Sequence, residues 1–194
     1  MKNLFLLLLL LNFSAHAQWV ELFNGRDLTG WKASENPSSF QVKDGELRIE
    51  GPRGHLFYDG PVGDHSFKNF EVKALIKTYP GANSGLYVCT AFQPSDWPSQ
   101  GHEIQVNNSH TDWRRTGSLY GIIDTAEKLV HDEEWFELYI KVEGKHITTK
   151  INGRTVVEYD EPADKKRIQP GTIAIQAHDP KSKIDYKSIQ VRLN

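Results

Sequence analysis

The sequence predicts an all-β fold in which two antiparallel sheets pack face to face as a sandwich. Short runs of alternating apolar and polar residues recur along the chain, and glycine, proline, asparagine and aspartate separate them. The pattern indicates no long amphipathic helix. It indicates ten to twelve strands, about as many as an open sheet holds before it splits into two packed layers.

The predicted strands follow one another at short intervals. They cover residues 39–42, 46–50, 69–77, 84–92, 102–106, 135–142, 146–151, 155–159, 172–177 and 184–192. The clearest local signal is Asn152-Gly153 between two β-branched runs. Because both residues tolerate positive φ, this pair predicts a type I′ hairpin turn.

The first seventeen residues have the pattern of a cleaved export signal. Lys2 supplies a positive start, residues 4–11 form an apolar run, and Ala15 and Ala17 are small residues where a signal peptidase reads the chain. The apolar run is too short to span a bilayer stably. We therefore expect a signal peptide at 1–17, one domain at 18–194, no membrane anchor, and a periplasmic or secreted location.

Charge and composition narrow the range of partners. The formal net charge is −2 and no basic stripe is visible, so a nucleic acid partner is not expected. Cys89 is the only cysteine, which excludes an internal disulfide. The 5 Trp, 7 Tyr and 9 Phe fit a sandwich core, and they also fit a carbohydrate partner because aromatic faces stack on the CH groups of sugar rings.

The segment 93–129 is the longest stretch without a clear strand pattern. Only 102–106 and 119–123 within it are predicted strands. Long irregular connections in a compact domain are usually functional or disordered. The tryptophans and other apolar residues of this segment argue against disorder, so we expect it to form the walls of a cleft.

Polar residues occur at two-residue spacing on two strands that are otherwise apolar. Glu103, Gln105 and Asn107 share one face of their strand, and Gln176 and His178 share one face of another. These short polar groups suit the floor of a wet groove. An ordinary solvent-exposed sheet surface is the alternative interpretation.

The strand that carries Glu103 does not offer the acid pair of an ordinary glycosidase. Retaining hydrolysis needs two carboxylates about 5 Å apart, but Gln105 and Asn107 follow Glu103 on its face. One carboxylate beside an imidazole suits proton abstraction from carbon or a mixed oxygen–nitrogen metal site. The histidines at positions 55, 65, 102, 110, 131 and 146 have no ligand-like spacing, and we expect structural or surface roles for them.

An ordered series of motifs resembles the 3-keto-disaccharide hydrolase family. The matching segments are LFNGRDLTGW at 22–31, FQVKDGEL at 40–47, NFEV at 69–72, NSGL at 83–86, GHEIQV at 101–106, TGSLYG at 116–121, ING at 151–153 and GTIAIQAH at 171–178. They extend over nearly all of 18–194. The resemblance implies a concanavalin A-like jelly roll and cleavage of glycosides whose sugar is already oxidised to a ketone at C3.

Such a substrate suits a site with one base. A C3 ketone acidifies the C2 proton, whose removal lets the C1 substituent depart, and water then adds to the enone. The resemblance implies Glu103 and His178 as base, acid or metal ligand. It implies substrate-binding roles for five further residues, which are Asn83, Gln105, Asn107, Tyr120 and Gln176. A divalent metal ion that polarises the ketone is compatible with it, and no other cofactor is expected.

The chain departs from the family pattern at two positions that bear on function. The family commonly has an arginine where Val88-Cys89 stands here, and an aspartate where Asn107 stands. These departures favour a non-catalytic carbohydrate-binding module, whereas the presence of Glu103 and His178 favours an enzyme. The expected function is an exported enzyme that cleaves 3-keto-glycosides. The binding module is the alternative, and a two-carboxylate glycosidase is the least favoured.

Overall fold

The computed structural model describes residues 18–194, and this part of the chain contains thirteen strands and two short 3-10 turns. The strands are β1 Val20–Glu21, β2 Trp31–Ala33, β3 Phe40–Lys43, β4 Glu46–Glu50, β5 Gly54–Tyr58, β6 Phe70–Thr78, β7 Ser84–Thr90, β8 His102–Val106, β9 Phe136–Glu143, β10 His146–Ile151, β11 Arg154–Asp160, β12 Thr172–Ala177 and β13 Lys183–Leu193. The 3-10 turns are Pro37–Ser39 and Val62–His65. The predicted signal peptide at 1–17 lies outside the described residues.

The strands form two antiparallel sheets. The eight-stranded sheet has the order β11-β10-β9-β6-β13-β4-β3, with β1 added alongside β13. The five-stranded sheet has the order β2-β5-β12-β7-β8. This arrangement confirms the predicted two-sheet fold. Between residues 18 and 194, no helix combines the length and the apolar character needed to cross a membrane.

The apolar core lies between the two sheets. Strand alternation sends Val72 and Ile140 inward from the eight-stranded sheet, and Ile104 and Ile175 inward from the five-stranded sheet. Each of these four side chains is fully buried. Burying one aliphatic side chain of this size contributes about 1.5–3 kcal/mol. The core therefore fixes which residues of each strand point outward.

The predicted hairpin turn is present between β10 and β11. Asn152 and Gly153 have φ values of 49° and 81°, as a type I′ turn requires. The Asn152 side-chain oxygen also accepts a hydrogen bond of 2.9 Å from the backbone N–H of Glu137. The turn is thus tied to the neighbouring strand β9.

Other sequence predictions differ from the structure. The sequence pattern missed β1, β2 and β5, and residues 119–123 form isolated bridges instead of a strand. Strands β1 and β2 are only two and three residues long. All five residues of β5 are buried, so this strand lacks the alternation on which the prediction depends.

A β-bulge in β7 changes the direction of its side chains. Thr90 pairs with Thr172, and Tyr87 pairs with Ala174. The two paired positions are therefore three residues apart on β7 but only two residues apart on β12, which means that β7 contains one extra residue. Cys89 adopts a positive φ of 57° at this point, and its side chain joins the core between the sheets. The bulge therefore places a cysteine in the core partway along a strand that also contributes Tyr87 to the outer face.

Candidate active site

A cavity of about 220 Å³ opens on the outer face of the five-stranded sheet. Glu103 and Gln105 project from β8, Tyr87 from β7 and Gln176 from β12, while His178 follows β12 directly. The complete lining is Asn83, Tyr87, Trp97, Glu103, Gln105, Tyr120, Gln176 and His178. Six of the seven residues that the sequence singles out are therefore brought together on one face of one sheet.

The Glu103 carboxylate lies at the centre of a hydrogen-bond network. The Tyr87 hydroxyl donates to Glu103 Oε2 at 2.8 Å, and Gln176 Nε2 donates to Glu103 Oε1 at 2.9 Å. Gly85 on β7 leaves the space for this carboxylate, because a Cβ there would overlap Oε1 and lie 2.7 Å from Cγ. The sheet thus holds both carboxylate oxygens in fixed positions.

Burial changes the protonation of Glu103. It raises the pKa of this carboxyl to about 7, and the charge of Asp112 acts in the same direction. The hydrogen bonds from Tyr87 and Gln176 oppose the shift without cancelling it. At neutral pH, Glu103 therefore exchanges readily between its two protonation states, as an acid–base catalyst requires.

Two buried amide oxygens beside Glu103 lack donors. Gln105 Nε2 donates to Asn83 Oδ1 at 2.7 Å, but Gln105 Oε1 has no hydrogen-bond partner among the described residues, and neither does Gln176 Oε1. An unpaired buried acceptor costs about 1–3 kcal/mol. Because both residues line the cavity, the hydroxyl groups of a bound ligand could supply the missing donors.

His178 is oriented by the residue that follows it. Its Nδ1 lies 2.8 Å from Asp179 Oδ2, which also accepts a 2.7 Å hydrogen bond from the Ser182 hydroxyl. Burial would raise the pKa of Asp179, but the hydrogen bonds from His178 and Ser182 outweigh it and hold this pKa below its usual value. The ionised Asp179 favours a proton on Nδ1 and leaves Nε2 for proton transfer.

Three residues could hold a divalent cation. His110, His178 and Asp179 each offer a ligand atom, and these atoms lie within 4.8 Å of one another. Two imidazole nitrogens and a carboxylate oxygen suit zinc or another transition metal. His110 Nδ1 accepts a 3.0 Å hydrogen bond from the backbone N–H of Asp112, so its neutral ring carries the proton on Nε2. Ligation through Nε2 would require that hydrogen bond to rearrange.

Two exposed aromatic rings stand at the mouth of the cavity. Trp97 is 41% exposed and Tyr120 is 42% exposed. The guanidinium of Arg114 lies 4.7 Å from the centroid of the Tyr120 ring. Aromatic rings in such positions offer stacking surfaces for sugar rings.

Asn107 does not line the cavity, contrary to its predicted place among the substrate-binding residues. It is fully buried, and its side-chain nitrogen donates to the backbone oxygens of Asp112 and Arg114 at 3.0 and 2.8 Å. Strand β8 ends at Val106, so Asn107 belongs to the loop that follows. Its side chain holds that loop together.

Tyr87 and Asp179 also belong to the candidate site, but the sequence pattern does not indicate them, and it places Trp97 only in the wall of a cleft. Tyr87 shares strand β7 with mostly apolar residues, and the bulge at Cys89 obscures the alternation there. Asp179 follows His178 immediately, a proximity that could have suggested the pair. Trp97 belongs to a loop, where no periodic pattern reveals the direction of a side chain.

Comparison with known proteins identifies the family of this chain. The family model described as "3-keto-alpha-glucoside-1,2-lyase-like domain" matches residues 18–192. A 3-keto-disaccharide hydrolase of Bacteroides thetaiotaomicron is 25% identical, and the match covers 73% of this chain and 58% of that protein. The chain therefore spans a little under three-fifths of the length of that curated relative.

Solved structures show the same architecture. A candidate glycosyl hydrolase from Parabacteroides distasonis superposes with a TM-score of 0.76 at 22% identity, covering 91% of this chain and 94% of that chain. The carbohydrate-binding module CBM66 from Bacillus subtilis superposes with a TM-score of 0.61 at 10% identity, covering 84% and 95%. The carbohydrate recognition domain of Emp46p and the exoplasmic/lumenal domain of VIP36 share the fold, with TM-scores of 0.56 and 0.61 at 10% and 12% identity. By the match over residues 18–192, the chain belongs to the 3-keto-alpha-glucoside-1,2-lyase-like domain family.

Proposed function

We propose that this protein is an exported enzyme that cleaves the glycosidic bonds of 3-keto-glycosides by elimination and hydration. The observation that carries the proposal is that Glu103 is the only carboxylate among the described residues that line the cavity. Its pKa of about 7 suits the removal of a proton from carbon. An ordinary glycosidase mechanism needs a second carboxylate beside the glycosidic bond, and the lining residues do not include one.

The first half of the reaction is an elimination. Glu103 takes the C2 proton, which the C3 ketone acidifies, and the C–H electrons form an enolate. The enolate then expels the C1 oxygen with its bonding pair, and His178 gives that oxygen a proton from Nε2. An enone remains in the cavity, Glu103 is now protonated, and His178 is neutral.

The second half returns both groups to their starting states. His178, held by Asp179, takes a proton from water while the water oxygen adds to C1 of the enone. Protonated Glu103 then gives its proton back to C2. The net reaction is hydrolysis with the C3 ketone retained. The amide groups of Asn83, Gln105 and Gln176 would bind the hydroxyls of the sugar.

A metal-assisted version of this reaction uses the same residues differently. A divalent cation held by His110, His178 and Asp179 would polarise the ketone. His178 would then serve as a ligand and could not also carry the proton of the leaving group. Loss of activity with a chelator, restored by added metal, would favour this version. Full activity with the chelator would favour His178 as the acid.

A chromogenic 3-keto-β-glucoside and its unoxidised parent test the proposal. We expect release from the keto compound alone, and we expect Glu103→Gln and His178→Ala each to lower kcat/KM by about 10²–10⁴-fold. Glu127→Gln is a matched control, because Glu127 is exposed, pairs with Arg154 and does not line the cavity. Equal release from the unoxidised parent would overturn the keto-dependent mechanism.

The second candidate is a carbohydrate-binding module without catalysis. It is favoured by Cys89, which occupies the core where the family commonly has an arginine, and by the similarity to a carbohydrate-binding module. Under this alternative, the sugars would bind and neither compound would be cleaved. Calorimetric titration beside the release assay separates the two candidates.

A further inference from the structure

His55 is a buried polar residue next to the cavity that the proposed reaction does not use. It lies on β5 and pairs with Gln176 of β12, and none of its surface is exposed. Neither ring nitrogen has a hydrogen-bond partner among the described residues. Burial lowers the pKa of His55 to about 4, so the ring is neutral at pH 7. Its one donor and one acceptor are both unsatisfied.

Three aromatic rings pack around His55. The Trp97 ring meets it edge to face with centroids 5.6 Å apart, and the Tyr87 ring does the same at 5.4 Å. The Phe57 ring lies 6.2 Å away on the same strand. Trp97 and Tyr87 both line the cavity. His55 is therefore separated from the cavity by the thickness of one aromatic ring.

The loop that carries Trp97 is held mainly by polar contacts at the surface. Arg53 bonds Glu35 at 2.7 Å and Asp96 at 3.1 Å, with the Arg53 and Asp96 side chains 37% and 70% exposed. Such exposed ion pairs contribute only about 0–1 kcal/mol each. Asp96 also adopts a positive φ of 67°, which is uncommon for a residue other than glycine. Trp97 lies outside the strands. Moving it outward would give up its ring contacts with His55, His178 and Arg53 without breaking the pairing of any strand.

The size of the cavity gives a reason for such a movement. Its volume is about 220 Å³, whereas sites for drug-sized ligands usually measure about 300–1,000 Å³. One sugar ring with its contacts is a better match to this volume than two rings. Displacing Trp97 would extend the floor of the cavity along the sheet from Gln176 to His55, because these two residues are neighbours across β12 and β5.

We propose that His55 is a further substrate-binding residue, at a subsite for the second sugar unit that Trp97 covers in this structure and uncovers when a disaccharide binds. The proposal rests on the proposed function for the identity of the substrate. A neutral imidazole offers one N–H donor and one nitrogen acceptor, which match a pair of neighbouring sugar hydroxyls. The displaced Trp97 ring would stack against the same sugar.

His55→Phe tests the subsite, because phenylalanine keeps a flat aromatic ring and has neither of the two nitrogens. Since neither nitrogen has a partner among the described residues, the melting temperature should not fall. The measured quantity is kcat/KM for a 3-keto-disaccharide divided by kcat/KM for the corresponding 3-keto methyl glycoside. This ratio should fall about tenfold in the variant, because losing one hydrogen bond costs about 1.4 kcal/mol. His146→Phe is the matched control, since His146 lies on the eight-stranded sheet, and the ratio should not change.

Two results would overturn the subsite. One is an unchanged ratio in His55→Phe, and the other is an equal fall of both kcat/KM values together with a melting temperature several degrees lower, which would indicate a structural role. Tryptophan fluorescence supplies a second measurement, because the change on adding disaccharide should disappear in Trp97→Phe. A fluorescence change that persists in Trp97→Phe would contradict the movement of Trp97.

Failure of the proposed function can be distinguished from failure of the subsite. If the unmodified protein cleaves neither substrate, the enzymatic proposal fails. Calorimetric titration with the same two compounds then tests the subsite directly. His55→Phe should weaken binding of the disaccharide about tenfold relative to the methyl glycoside. Equal weakening of both, or of neither, would overturn the subsite.

Discussion

The outer faces of the two sheets differ in what covers them. Strand β9 of the eight-stranded sheet alternates between buried and partly exposed residues, as expected for a sheet with one face in water. Strands β7 and β12 of the five-stranded sheet are buried at every position, because loops cover their outer side. Strand alternation therefore reveals which residues share a face. It does not reveal whether that face is open to water.

Carboxylates on these two faces show opposite pKa shifts. Asp185 on β13 is buried and bonds Arg48 at 2.8 and 2.9 Å, and the Tyr79 hydroxyl also donates to it. Burial would raise its pKa, but these partners outweigh burial and hold the pKa low. Glu103 forms no ion pair among the described residues, and burial raises its pKa to about 7. The paired carboxylate stabilises the fold, and the unpaired one is available for chemistry.

Removing the buried carboxylate of the eight-stranded sheet should have the largest effect on stability. We expect Asp185→Ala to lower the free energy of unfolding by about 3–5 kcal/mol, because Arg48 would remain largely buried without its partner. Urea unfolding measures the change, and the activity per folded molecule should be retained. Glu127→Gln, in an exposed pair with Arg154, should change the free energy by less than about 1 kcal/mol. Equal effects of the two substitutions would contradict the contrast between buried and exposed pairs.

Glu103, whose pKa is raised and not lowered as in Asp185, should make the protein less stable as pH rises. Its folded-state pKa of about 7 exceeds the ordinary value of 4.5, so the folded protein binds more protons between these values. The contribution of Glu103 to stability should be fully present below pH 4.5 and be lost as pH rises through 7. The loss amounts to about 3 kcal/mol.

Comparison with Glu103→Gln isolates this pH effect. The unfolding free energy of the unmodified protein, relative to that of the variant, should fall by about 3 kcal/mol between pH 4.5 and 8 and should not change further above pH 8. Urea unfolding at a series of pH values measures it. A difference that does not vary with pH would show that the carboxyl titrates normally in the folded protein.

Gly85→Ala should affect activity more than stability. The new Cβ would overlap the Glu103 carboxylate and force that side chain to move. A displacement of about 1 Å at a catalytic group can lower the rate about 100-fold, so we expect kcat/KM to fall about 10–100-fold. In Gly81→Ala, the added Cβ meets no atom within 4 Å, although φ is positive at 77°. This control should lose about 1 kcal/mol of stability and keep its activity per folded molecule.

The hairpin far from the cavity should show the smallest effect. We expect Asn152→Ala to lower the free energy of unfolding by about 1–2 kcal/mol, through the positive φ of 49° and the lost hydrogen bond from Glu137 N. Asn152→Gly keeps the favourable backbone and loses only the hydrogen bond, so it should cost less. Thermal unfolding of the two variants gives the comparison. A glycine variant that is less stable than the alanine variant would contradict this account of the turn.

Much of the fold could be predicted because it depends on local patterns. The Asn152-Gly153 turn requires positive φ at two adjacent residues, and the sequence displays that requirement directly. Strand β5 could not be predicted in the same way. It is covered on both faces, so the run from Gly54 to Tyr58 shows no alternation. Whether a strand is covered depends on loops that are distant in sequence.

The site could be predicted only in part, for the same reason. Glu103, Gln105 and Gln176 share a face because strand periodicity puts them there. Asn107 was assigned by extending that periodicity one residue past the end of β8. By sequence pattern alone, His55 resembles any other histidine of the chain, because its burial depends on Trp97 from another part of the chain.

The bulge at Cys89 divides strand β7 into two segments with independent side-chain directions. Tyr87 before the bulge faces the cavity and bonds Glu103, while Cys89 packs in the core. Without the bulge, the alternation that sends Tyr87 outward would send Cys89 outward as well. The extra residue is therefore absorbed at Cys89, and the residues around Glu103 keep their pairing and direction. One strand thus supplies an apolar side chain to the core and a hydroxyl group to the cavity at positions two residues apart, which regular alternation does not allow.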